Sequence, residues 1–213
     1  MSPTRIPPEQ SNSSQYNAGA LPANKRVLYY DIETKSWSDE HPGGWSDIHA
    51  FGLAVGVTWC PCHGEKVFVD EALRMYDHLV THPKIVGFNN VNFDNTIIAT
   101  DAGKPKRALD ERSQDLLLDL TSRLGHRVKL DQVAEGTLGR AKCADGLQAV
   151  QWWKQYEDEA AEDMHLAEAY LSQIIGYCAD DVQITRQIHE FGQLNKYVRF
   201  VSRVGARAVQ VWW

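Results

Sequence analysis

The run Val27-Leu28-Tyr29-Tyr30-Asp31-Ile32-Glu33-Thr34 constrains this chain more than any other segment. Its β-branched and aromatic residues read as a strand over residues 26–33. Strands this apolar belong inside a sheet, yet this one ends on two carboxylates. Side chains two apart on a strand share a face. Asp31 and Glu33 therefore stand side by side, in line with Val27 and Tyr29. Placing them on a buried strand costs free energy unless something offsets their desolvation. A pair of divalent cations would do so, and two such ions about 4 Å apart suit phosphodiester hydrolysis.

Two further motifs supply more acids. Asp94 closes Gly87-Phe88-Asn89-Asn90-Val91-Asn92-Phe93-Asp94, just after a short strand over residues 84–88, where a loop can aim it back at the first strand's end. Asp181 follows Tyr177 in Tyr177-Cys178-Ala179-Asp180-Asp181, and residues four apart on a helix share a face. One sheet end and one helix can thus gather four carboxylates. Hard cations such as Mg²⁺ prefer oxygen ligands. Asp31 is the natural bridging ligand, and Tyr177 is placed to orient an attacking water. Taken singly, each piece has a plain structural reading. An Asp-x-Glu pair suits a surface, Asp94 suits a helix N-cap, and Tyr177 suits a core position with a satisfied hydroxyl. Their joint occurrence favours the site. Asp180 points about 100° away from Asp181 and reads as solvated, while Asp115 and Asp119 read as capping or surface groups.

The remaining pattern is that of an α/β chain. Residues 1–24 are rich in Ser, Asn, Pro and Gln and read as a disordered tail ahead of one domain, 25–213. Residues 35–49 read as a loop, 50–59 and 66–69 as strands, and 71–82 as a helix, with helical character again after Asn92. Helices are expected over 115–124, 130–138, 145–154 and 160–175. Gly176 is then expected to separate the last of these from a helix over 177–191. Residues 197–213 read as a β-hairpin with Gly205 in the turn, a terminal helix being the alternative. The expected fold class is α/β, a mixed sheet with helices on both faces.

Composition narrows the functional classes. The 213 residues are 43% hydrophobic, enough for one sizeable core. A net charge of −6 argues against binding duplex nucleic acid by bulk charge, but not against acidic groups that bind cations. No apolar stretch has the length of a membrane span, and Met1-Ser-Pro-Thr-Arg-Ile-Pro-Pro lacks the apolar core of a secretory signal, so a cytoplasmic location is expected. Cys60-Pro61-Cys62-His63 lacks the second matching pair of a usual zinc module. It reads as a reduced turn between two strands, with zinc as the alternative.

Together, Asp31-Ile32-Glu33-Thr34, Asn89 to Asp94 and Tyr177 to Asp181 resemble the three motifs of the DEDD superfamily of 3′-5′ exonucleases, which have a ribonuclease-H-like fold. The histidine branch of that superfamily places His five residues before the last Asp, where this chain has Gly176. The tyrosine branch places Tyr four before it, and Tyr177 fits. The resemblance covers roughly residues 26–192. The segment Leu138 to Trp153 is also similar to exonuclease-like domains found alone or attached to helicases. The resemblance implies removal of nucleotides from the 3′ end of single-stranded DNA or RNA, with two Mg²⁺ or Mn²⁺ ions on Asp31, Glu33, Asp94 and Asp181. It places Ile32, Thr34, Asn89 and Phe93 against the terminal nucleotide, and Lys142 near phosphate or on a solvated loop. Other readings are a non-catalytic nucleic-acid or helicase-partner module on the same fold, and an endonuclease cutting RNA in hybrids. Lys196, Arg199, Arg203 and Arg207, interspersed with Tyr197 and Phe200, suit a hairpin covering the sheet edge better than a single-strand contact surface.

Overall fold

The structure, a computed structural model, describes residues 27–140, 146–203 and 205–213. The expected tail, residues 1–24, lies outside these, as do Lys142 and Cys143.

The sheet is built around the apolar run. Strand β1 (Val27–Thr34) pairs antiparallel with β2 (Leu53–Cys60), and β2 pairs antiparallel with β3 (Gly64–Val69). On its other side β1 pairs in parallel with β4 (Lys84–Gly87), which pairs in parallel with β5 (Ser113–Asp115). The order is β3-β2-β1-β4-β5, so β1 is central and mixed. The β1–β4 pairing involves only Val27, Leu28 and Tyr29. Beyond them the β4 side of β1 is open, and Asp31 and Glu33 lie in that stretch.

The period of two along β1 makes two cores. Val27 and Tyr29 pack with α4 (Leu116–Leu124), α5 (Leu130–Leu138), α6 (Gly146–Glu159) and α7 (Met164–Asn195). Leu28, Tyr30 and Ile32 pack with α1 (Ala72–Val80), α2 (Asp94–Asp101) and α3 (Arg107–Asp110) through Met75, Leu79, Ile97, Ile98 and Leu109. Helices therefore cover both faces. Gly125 and Gly139, at φ 75° and 68°, end α4 and α5 in the left-handed conformation that glycine adopts cheaply.

The sequence reading lacked α3 and β5, and three further elements differ from it. Residues 35–49 contain two short 3₁₀ helices, Ser38–Glu40 and Gly44–Ala50, in place of a plain loop. The two helices expected around Gly176 are one unbroken α7, started by Asp163, whose side chain accepts from the amides of His165 and Leu166. An interior glycine costs about 1 kcal/mol. The buried stripe Ala167, Ile174, Cys178, Val182, Ile184 and Ile188 outweighs that cost. The C-terminal strands β6 (Tyr197–Ser202) and β7 (Gly205–Gln210) pair with each other as a separate antiparallel sheet and are not hydrogen-bonded into the main one. They seat on α5 instead. A Cβ on Gly136 would fall 2.7 Å from the Phe200 backbone, and Thr137 Oγ1 both donates to Arg199 O (2.7 Å) and accepts from Arg199 N (2.9 Å). Among the described residues, no helix is long and apolar enough to cross a membrane.

Candidate active site

Each acid is aimed by its own element. Asp31 and Glu33 project from the open half of β1 on the side that α7 crosses; Glu33 is buried and Asp31 half-buried. The register of β1 against β2 shifts between Glu33 and Thr34, an irregularity that re-aims the strand end.

Asp94 is the first residue of α2, and the loop before it is held from beneath. Asn89 adopts φ +75°, a region that a short polar side chain tolerates. Its amide and that of Val91 donate to the two oxygens of Asp115 (2.9 and 3.1 Å), while Leu118 N donates to the first of these at 3.0 Å. Asp115 thus caps α4 and anchors the Asp94 loop at once. Fully buried Asn90 donates to Tyr30 Oη (2.8 Å) and Ser113 Oγ (3.2 Å), and Tyr30 Oη in turn donates to Asn95. Held this way, the Asp94 carboxyl feels the amide of Ile32, between Asp31 and Glu33. That amide lies where β4 no longer pairs with β1.

The third contribution comes from α7. Tyr177 and Asp181 share its inner face, and between them the buried Cys178 thiol donates to Asp31 O at 3.3 Å. Donor atoms of Asp31, Glu33 and Cys178 all lie within 4.8 Å of one another. The four acids, Tyr177, Ile32, Thr34, Asn89 and Phe93 line one cleft of about 250 Å³, together with Trp37, Trp45, Phe88 and Gly146. Lys142 lies outside the described residues. A wider cleft of about 500 Å³ around Lys35, Asp70 and Asp101 gathers no comparable cluster. There Lys35 pairs with Asp70, and Asp101 accepts the amide of Leu53.

The electrostatics of the acidic cleft run in one direction. Burial, then Asp115, raises the Asp94 carboxyl to about 7, although its own amide and that of Ile32 oppose the rise. Burial and then Asp181, Glu33, Asp31 and Asp131 push the Tyr177 phenol well above its ordinary value. Burial, Asp31, Glu33 and Asp181 do the same to the Cys178 thiol, which therefore stays neutral. Among the described residues, the charges that raise these three groups are those of carboxylates. Hard oxygen donors in such a field fit divalent cations of the Mg²⁺ type, and the neutral, soft Cys178 does not compete as a ligand.

Some roles were missed from sequence. Asp115 is the helix cap that was one of the two readings given for it, but its hold on the Asp94 loop was not foreseen. Asp119 pairs with Arg123 and accepts Trp213 Nε1 at 2.8 Å. Asp180 forms an ion pair with Arg140. Trp37 and Trp45 stand at the cleft with ring centroids 5.2 Å apart, and Trp45, though 53% exposed, reaches within 6.4 Å of Phe93. Two tryptophans in a Gly- and Pro-bearing segment straight after the first motif were the available signal, since exposed aromatics need a reason.

A family model described as the RNase_H superfamily matches residues 28–191. No curated protein sequence matches the chain. Among solved structures, the family B DNA polymerase from the hyperthermophilic archaeon Pyrobaculum calidifontis superposes with a TM-score of 0.54 and 20% identity, over 78% of this chain and 24% of the polymerase. E. coli Exonuclease I in complex with a 5cy-dT13 oligonucleotide is matched over 80% of this chain and 40% of its own, with a TM-score of 0.41 and 14% identity. The chain thus spans about a quarter of the polymerase and two fifths of the exonuclease, and the polymerase likeness is one of fold.

Proposed function

Because the chain belongs to the RNase_H superfamily, we propose that its acidic cleft is the active site of a metal-dependent 3′-5′ exonuclease acting on single-stranded DNA or RNA, of the tyrosine branch of the DEDD group. The observation that carries this reading is the convergence of Asp31, Glu33, Asp94, Asp181 and Tyr177 on one small cleft at the open half of β1. Asp31, Glu33, Asp94 and Asp181 would hold two Mg²⁺ or Mn²⁺ ions. When bound, such ions activate water and stabilise charge on a phosphodiester.

The chain's own groups do the rest. Burial and the surrounding carboxylates favour the protonated Tyr177 hydroxyl, which serves as a hydrogen-bonding group that orients water, not as a base. The strand backbone at Ile32 and Thr34 positions the terminal nucleotide, and Phe93 wedges against its base, with Trp45 as a stacking face beside it. A cleft of about 250 Å³ admits the end of one strand and excludes a duplex. The clustered carboxylates repel phosphate, which makes activity depend on added cation.

The test is direct. Oligonucleotides of DNA and RNA, labelled at the 5′ end, should shorten progressively from the 3′ end with Mg²⁺ or Mn²⁺ and release mononucleotides, while a closed circle stays intact. Asp31→Asn should remove the activity. A protein that binds Mn²⁺ through Asp31 and degrades neither strand would instead be a binding module on this fold.

A further inference from the structure

A second cluster of donor atoms lies at the other end of the sheet. Cys60 ends β2, Cys62 and His63 form the turn into β3, and His82 follows α1 just before β4. The open half of β1 lies toward its C-terminal end; Cys60 sits beyond Trp59, the partner of Tyr29, and His82 precedes the Lys84–Val27 pair. One ligand atom from each of Cys60, Cys62, His63 and His82 lies within 4.8 Å of the others. Both cysteines are free, with sulfurs 2.7 Å apart, and Cys62 Sγ is 3.9 Å from His82 Nε2.

His82 is held as a metal ligand would be. His82 Nδ1 lies 3.1 Å from the carbonyl oxygen of His78, a bond that requires the proton on Nδ1. This leaves Nε2 bare on the side of the sulfurs, the arrangement by which zinc-binding histidines are oriented. The cluster also sits where the fold is thinly anchored. Of the β3 residues, only Phe68 is buried, so the β2–β3 turn has little apolar packing to fix it.

We propose that Cys60, Cys62, His63 and His82 form a structural Zn²⁺ site that clips the β2–β3 turn to the segment between α1 and β4. Donors 2.0–2.3 Å from one tetrahedral ion stand roughly 3.3–3.8 Å apart, so binding spreads the two sulfurs by about 1 Å and draws the imidazoles in. Four protein ligands close the shell, which makes the site one of stability and not of catalysis. The single residue between the cysteines departs from common zinc modules. It is accommodated because the fourth ligand arrives from a separate element.

The full chain, purified under reducing conditions, should retain one equivalent of zinc, and Asp31→Asn should retain it too. Exchange with Co²⁺ should give a thiolate-to-metal charge-transfer band in the near ultraviolet, lost when Cys60 and Cys62 are both replaced by Ser. His63 is exposed on the turn, so His63→Ala should fold normally by circular dichroism and bind zinc about tenfold more weakly or worse. The proposal is overturned if Co²⁺ gives no such band with the thiols reduced, if His63→Ala leaves affinity unchanged, or if intact mass shows a Cys60–Cys62 disulfide in the purified protein. The His63 measurement decides the matter even if the cysteine variants fail to fold.

Discussion

The amide of Ile32 bears on the carboxyl of Asp94 and favours its ionised form, so the second acidic motif lies against the backbone midway between the two carboxylates of the first. β4 pairs with β1 only as far as Tyr29, which leaves room beside the strand for the first residue of α2. The same gap that leaves the strand end open therefore assembles the acidic cluster.

Cation binding should stabilise the protein, and more so at higher pH. The Asp94 carboxyl is raised to about 7, so without metal the fold favours its protonated form. That contribution is full below about pH 4 and is lost as pH rises through about 7. Mg²⁺ or Mn²⁺ should therefore raise the melting temperature more at pH 8 than at pH 5.5. Asp94→Asn should raise metal-free stability at pH 8 by on the order of 1–4 kcal/mol and abolish most of the cation effect. Scanning calorimetry across the pH series checks both.

Asp31→Asn and Asp181→Asn should lower kcat by about 10²–10³-fold or more, the scale of removing a group that organises transition-state charge. Tyr177→Phe should cost less, about 10–10²-fold, with metal affinity intact. Because that hydroxyl stays protonated, the pH–rate profile of Tyr177→Phe should run parallel to that of the parent chain. A change in its alkaline limb would identify Tyr177 as a base and refute the assignment.

Trp45→Ala should weaken substrate binding with little change in kcat. Base–aromatic stacking is worth about 1–3 kcal/mol per base, so KM should rise roughly 5- to 100-fold. Steady-state kinetics on a short single strand separates this from a general loss of fold.

His189 should make the fold acid-sensitive. It is fully buried, faces Tyr29 Oη (2.9 Å) and Gln114 Oε1 (3.2 Å), and packs on Trp213. The acceptor at Gln114 requires the proton on Nε2, leaving Nδ1 to accept from Tyr29. Burial and nearby Lys84 depress the imidazole to about 3. Stability from keeping it neutral is therefore present above about pH 6.5 and lost as pH falls toward 3. The unfolding free energy from urea titration should fall over that window by roughly 2–4 kcal/mol, and His189→Gln should flatten the fall.

Gly136→Ala should loosen the C-terminal hairpin, because its Cβ would meet the Phe200 backbone at 2.7 Å. A cost of about 1–3 kcal/mol is expected. Thr137→Val, which removes the hydroxyl shared with Arg199, should cost about 1 kcal/mol. Thermal melts of the two variants rank them.

The apolar run from Val27 to Glu33 was enough to read a strand with two carboxylates on one face, because burial leaves a signature within eight residues. The helical spacing of Tyr177 and Asp181 was equally local. What escaped was long-range or cooperative. No local pattern could show that Asp115 holds Asn89 and Val91, since the partners meet only when β4 and β5 pair. Gly176 marked a helix boundary by propensity alone and lost to a buried stripe distributed along the whole of α7. The terminal basic and aromatic residues did indicate strands, but which surface those strands seat on is decided by a close approach at Gly136 that a sequence does not display.

The continuity of α7 limits how this protein can change in length. Its 32 residues run about 48 Å, and they carry Tyr177 and Asp181 in mid-span and His189 near the end. One inserted or deleted residue anywhere in between would rotate everything downstream by about 100°, swinging buried groups toward solvent. Drift in this stretch must therefore proceed by substitution, with insertions confined to the helix's two termini.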